Sequence, residues 1–303
     1  MRYTVQHVST VTYAAAVTQA QFNLRLVPWL GVGPGSGLGH GQTLVQQSLT
    51  IEPAPELRQD VPGPYCVNTT QIGFAAPLEK LRVTSAFSVD VRPPNLPGDG
   101  PAVEQVRREA LALKELSDTA PAPYVFSSRI AVKNPEIAAW ATPHLACGSP
   151  IVPAVSALMN AIHSEFTYTS GATTSDTPPH EAFASRVGVC QDFAHVMIIA
   201  LRAAGLPAAY VSGYLRTLPP PGKPRLVGAD AMHAWVNVWC GRELGWIGFD
   251  PTNNCLARGD HILIGMGRDY ADVSPINGTF IGNAPQTMRS AVDVALAGEA
   301  DPA

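Results

Sequence analysis

The sequence predicts an α+β protein, with an N-terminal antiparallel β domain followed by a core of helices packed on an antiparallel sheet. Three observations lead there. Leu81, Val83, Ser85, Phe87, Val89 and Val91 alternate with Arg82, Thr84, Ala86, Ser88, Asp90 and Arg92, one face largely apolar and the other polar, the period of a half-buried strand. From Asn134 onward the period becomes helical, with Val155, Leu158, Met159, Ile162 and Phe166 on one stripe. Between them, Pro93 to Gly100 is too rich in proline and glycine for any regular element.

Taken in order, weaker alternation over Tyr3 to Tyr13 and Thr43 to Ile51 adds strands on either side of a glycine-rich loop, Gly31 to Gly41. No Lys-Ser or Lys-Thr follows those glycines, so the loop is not read as a phosphate cradle. The β domain is placed at residues 1–95 and a connector with helical composition at 96–125. The core is placed at 126–285 and a disordered tail at 286–303. Within the core, Asn134 before Pro135 starts one helix, and Thr177 before Pro178 and Pro179 is read as the cap of another. A further helix runs from Cys190 to Ala204 and stops at Gly205 and Pro207. It is apolar almost all round and must be buried. Strands follow at Ala208 to Leu215, Met232 to Cys240 and Trp246 to Phe249.

The 303 residues are 46% hydrophobic and 15% charged, against roughly 25% charged in a typical soluble chain, and suffice for one large or two ordinary domains. A formal charge of -4 and the lack of any Lys/Arg run argue against nucleic-acid and membrane partners. The N-terminus lacks a basic start with an unbroken apolar stretch, so a cytoplasmic location is expected. Five widely spaced cysteines without a Cys-x-x-Cys pair argue against a disulfide framework. No metal or cofactor is expected, since His144 with Cys147 is the nearest approach to a zinc pair.

The chemistry centres on Cys190. At a helix N-terminus, unpaired N–H groups and the positive end of the dipole favour a thiolate and can hold an oxyanion. A thiol so placed becomes a nucleophile when a histidine sits beside it. The strand Met232 to Trp239 carries His233, and the next strand carries Asp250. A two-residue loop at Gly241 and Arg242 would pair His233 directly with Asp250, and a four-residue loop, 241–244, would leave them diagonal on one face. Either register holds them about 5–8 Å apart at Cβ, close enough for a carboxylate to orient an imidazole.

Four ordered blocks then carry a resemblance: Gly188-Val189-Cys190-Gln191-Asp192-Phe193-Ala194-His195, Gly205 to Tyr214, His233-Ala234-Trp235, and Phe249-Asp250-Pro251-Thr252. Together with Asp269 to Pro275 they resemble the bacterial transglutaminase-like family over roughly residues 120–285, and the leading β module resembles the domain that accompanies this core. Members are often described as cysteine proteases. The resemblance implies a papain-like triad of Cys190, His233 and Asp250, and Gln191 beside the nucleophile is taken with Tyr168 and Trp235 as substrate-binding. Tyr168 is read as an oxyanion donor or acyl-site lining, and Trp235, with Trp239 and Trp246, as a groove floor or as core. His195 lies about 140° round the helix from Cys190, so a structural bond to Asp192 is expected of it instead. The function expected is acyl transfer on a peptide or glutamine-type amide through a Cys190 thioester, hydrolysis favoured slightly over transamidation. A non-catalytic peptide-binding module is the alternative.

Overall fold

A computed structural model describes residues 1–29, 31, 41–93, 95, 98–115, 117–216 and 232–298. Most of the glycine-rich loop falls outside them. The N-terminal half is a curled seven-stranded antiparallel sheet built on one long strand. This strand, β1 (Arg2–Leu24), is flanked over its first half by β5 (Leu78–Arg92) and by β14 (Gln286–Leu296). The pairing shifts register after Thr12, and Gln19 takes a positive φ of 50°. That break turns the second half toward β4 (Asn68–Phe74) and β13 (Ile276–Ile281). The strands β2 (Gly41–Glu52) and β3 (Leu57–Pro62) form the two ends.

The core begins with α1 (Val103–Ala112), α2 (Pro135–Ala141) and α3 (Ile151–Glu165). Asn134 caps α2 as expected, its Oδ1 accepting from the N–H groups of Glu136 and Ile137. Next come β6 (Thr167–Tyr168), α4 (Pro179–Ser185), β7 (Val187–Gly188) and the buried α5 (Cys190–Ala203). The second sheet is made of β8 (Ala208–Leu215), β9 (Met232–Trp239), β10 (Trp246–Asp250), β11 (Cys255–Leu256) and β12 (His261–Gly267). Its order is β11-β10-β9-β8-β12, all antiparallel, and a short α6 (Tyr270–Val273) follows β12.

The two sheets share a core. Tyr3, Val5, Phe87 and Val89 pack with Tyr214, Ile262 and Ile264. Between them His7 Nδ1 and the Tyr214 hydroxyl are 2.7 Å apart, and burial pushes the His7 imidazole down to about 4.

Three expectations are corrected. The stretch from Gln286 is no loose tail, because β14 pairs with β1 from Tyr13↔Gln286 to Tyr3↔Leu296 and buries Val292 and Val294. The connector belongs to the core, since Val103, Val106 and Ala110 of α1 lie in its main apolar cluster. Thr177 does not cap α4: Pro178 holds that position and the Thr177 hydroxyl instead accepts from the Thr174 N–H. No described helix is long and apolar enough to cross a membrane.

Ending the chain at Pro285 removes two buried valines, each contributing about 1.5–3 kcal/mol, together with a ladder on β1. Urea unfolding of that shortened chain is expected to lose about 3 kcal/mol or more. An unchanged midpoint would show that β14 contributes nothing to the fold.

Candidate active site

The position of Cys190 is prepared by the turn before it. Val187–Gly188 lies parallel to Thr167–Tyr168, and the Gly188 carbonyl accepts from the Thr169 N–H. Asp192, in the first turn of α5, accepts from the Val189 N–H at 2.8 Å and from the Thr173 hydroxyl at 2.6 Å. A Cβ on Gly188 would stand 2.7 Å from that carboxylate, so only glycine lets the chain pass. Cys190 thus opens α5 half-buried, with the helix dipole behind it.

The second sheet supplies its partners. The hairpin β9-β10 takes the four-residue loop, with Trp246 paired to Trp239 and Ile247 to Val238. His233 and Asp250 therefore sit diagonally on one face, and His233 Nε2 meets Asp250 Oδ2 at 2.8 Å. This leaves Nδ1 as the ring nitrogen for Cys190, whose sulfur also engages the imidazole through a hydrogen bond. Burial alone would lower the His233 pKa, but the bonds to Asp250 and Cys190 and their charges raise it to about 10. The same contest runs in reverse at Asp250. Burial would raise its pKa, yet hydrogen bonds from His233, His261 and Asn253 hold it well below the usual carboxylate range.

Asp250 is fully buried and bonded at both oxygens. Oδ1 accepts from the N–H groups of Thr252 at 2.9 Å and Asn253 at 3.1 Å. Oδ2 accepts from His233, from the Asn253 side chain at 2.7 Å and from His261 Nε2 at 3.1 Å. His261 and Asn253 were not found by sequence reasoning. The available signal was a single polar residue opening the apolar strand His261–Gly267 and an Asn three positions past Asp250. The donor atoms of His233, Asp250 and His261 lie within 4.8 Å of one another. His233 Nε2 and His261 Nε2 both lie at hydrogen-bond distance from one carboxylate oxygen, Asp250 Oδ2.

Of the proposed substrate-binding residues, two lie beside Cys190 near the surface and the third is buried beneath His233. Tyr168 is 53% exposed beside Gly188, its ring edge-on to Phe193 at 6.3 Å. Burial and the Cys190 charge raise its pKa, which keeps the hydroxyl a donor. Gln191 is half-buried next to Cys190. Trp235 is 0% exposed, lying 6.2 Å from the His233 ring and 5.1 Å from that of His261. It cannot floor an open groove, and Trp239 and Trp246 are likewise buried. Both faces of β9 are covered, so period-2 alternation could not tell a groove face from a core face. His195 also differs from expectation: its Nε2 accepts from the Tyr270 N–H and its ring stacks on Tyr210, while Asp192 serves the turn. A cleft of about 940 Å³ lined by Arg129, Lys133, His180 and Met288 lies away from Cys190.

Residues 139–251 match the transglutaminase-like superfamily and residues 3–90 match the bacterial transglutaminase-like N-terminal region. The chain is 36% identical over 300 residues to the uncharacterized protein Rv2569c of Mycobacterium tuberculosis, spanning 97% of this chain and 91% of that protein. It belongs to the bacterial transglutaminase-like family. A protein-glutamine gamma-glutamyltransferase of Pseudomonas aeruginosa is 41% identical over 102 residues, 32% of this chain and 15% of that protein. A crystal structure from Cytophaga hutchinsonii, described as a "putative cysteine protease", shares the fold with a TM-score of 0.70 over 97% of this chain and 91% of its own, at 22% identity.

A raised His233 pKa makes stability fall with pH. Folding favours the imidazolium, so the contribution is complete below the ordinary value of about 6.5 and is lost as pH rises through about 10, at about 1.4 kcal/mol per unit of separation. Thermal midpoints between pH 6.5 and 10 are expected to fall more steeply in wild type than in Asp250→Asn. Equal slopes would mean that Asp250 does not hold the His233 proton.

Proposed function

We propose that the protein performs cysteine-dependent acyl transfer on a peptide or glutamine-type amide, with water as the favoured acceptor. The observation that supports this best is the line from the half-buried Cys190 at the start of α5 through His233 to the buried Asp250. In this reading His233 Nδ1 already holds the proton of the Cys190 thiol, and the sulfur bonds the amide carbon while the carbonyl pair moves onto oxygen. The first N–H groups of α5, which have no intrahelical acceptor, stabilise that oxyanion. Collapse breaks the C–N bond, and the imidazolium protonates the leaving amine. Water then gives a proton to His233 as its oxygen attacks the thioester carbon, and the thiol returns with release of the acid. Asp250 holds the ring throughout. Gln191 and Tyr168 border the acyl site.

Transamidation differs only in the acceptor, and the similarity to a gamma-glutamyltransferase over 102 residues favours it as the second reading. An open thioester meets water at about 55 M, and an amine overtakes it only where a site orients it at effective molarities of about 10⁵ M or more. Ammonia release from glutaminyl peptides is therefore expected to exceed incorporation of a labelled amine supplied at millimolar concentration, and Cys190→Ala should abolish both. Asp250→Asn should lower turnover by about 10³-fold or more through the wrong imidazole tautomer. Dominant amine incorporation would establish a transglutaminase. Neither product across a broad amide panel would leave a peptide-binding module on the same fold.

A further inference from the structure

Acyl transfer gives parts to Cys190, His233 and Asp250 and none to His261, although His261 and His233 share the same carboxylate oxygen. His261 opens β12, separated from β10 by β8 and β9, and is buried. Its ring meets Trp235 nearly edge-on, and Trp235 is stacked on His233. The protonation pattern follows from its partners. The Arg258 N–H donates to Nδ1 at 3.3 Å, so Nδ1 carries the lone pair. The proton then resides on Nε2, 3.1 Å from Asp250 Oδ2. This neutral tautomer can donate to the carboxylate without bringing a second positive charge to it.

We propose that His261 is a positioning residue: its backbone-locked Nε2–H holds Asp250 Oδ2 on the His233 side and so governs how tightly His233 keeps its proton. The other donor side chain on Oδ2 apart from His233 is that of Asn253, which is exposed and also lies 3.4 Å from His233 Nε2. Water competes with it, whereas His261 is sealed under Trp235. The titratable groups packed around the pair are Cys190 on α5, Cys255 opposite Asp250 on β11, and His261. Arg258 is the cation whose charge reaches Cys255. Of these groups, only His261 bonds the carboxylate among the described residues.

The catalytic meaning rests on the acyl-transfer reading, but the measurement that decides the role needs no substrate. Ring titration of His233 by heteronuclear NMR, assigned with a His233→Gln variant, is compared in wild type, His261→Gln and His261→Phe. With the donor gone in His261→Phe, Oδ2 is no longer held toward His233 and turns from it, which is expected to lower the His233 midpoint by about one pH unit or more, tenfold in proton affinity. The Gln amide can still donate and should keep the midpoint within about half a unit of wild type. If His261→Phe does not fold, His261→Ala carries the same expectation. With any active amide, kcat should fall about tenfold in the donor-less variant at unchanged KM, and recover in His261→Gln. A folded donor-less variant whose midpoint equals or exceeds that of wild type would overturn the positioning role. A lowered midpoint in a protein that turns over no amide would uphold it while refuting the proposed reaction.

Discussion

A carboxylate cut off from water stays ionised only where donors surround it, and Asp250 lies where five such contacts converge. Two come from the backbone just after β10, so the turn that ends the strand also fixes Oδ1. The remaining three settle on Oδ2 and decide which way the charge faces. Everything at the site follows from that fixed charge. It holds the imidazole by Nε2, leaves Nδ1 for the thiol, and keeps His233 protonated far above its ordinary range.

The N-terminal β module is tied to the same constraint through β12. That strand is the edge of the second sheet, and an edge exposes unpaired backbone groups. Here the module covers them. The Gln42 side chain donates to the Leu263 carbonyl at 2.8 Å and accepts from its N–H at 3.0 Å, as a neighbouring strand would. The Trp29 N–H bonds the Ile264 carbonyl, and Cys66 forms a bridge to Met266. At the start of the strand the Tyr3 hydroxyl donates to Asp260 at 2.8 Å, one residue before His261. The module thus fixes the strand from which His261 reaches Asp250, which makes it part of the site's support rather than an appendage.

Much of this was legible in the sequence because the deciding interactions are local or periodic. The N-terminus of α5, the even register of β9 against β10, and the alternation in β5 all follow from spacings within one or two elements. What escaped was set by distant partners. His261 lies only 11 residues from Asp250 but is brought back to it by a turn after β11 and by the packing of Trp235. The strand β14 buries two valines in a polar run, too few for a clear period, and is ordered by pairing with β1 at the other end of the chain. Trp235 was placed on the correct face with His233, but burial of both faces of β9 comes from layers that the strand's own sequence does not reveal.

The most direct measurement is intact-mass and peptide mass spectrometry of the protein quenched in acid during turnover of an activated glutaminyl ester. An added mass equal to the acyl group, mapped to the peptide containing Cys190 and released by hydroxylamine, is the expected result. Turnover that persists in Cys190→Ala, or an acyl group carried on another residue, would contradict a Cys190 thioester and with it the chemistry built on Asp250.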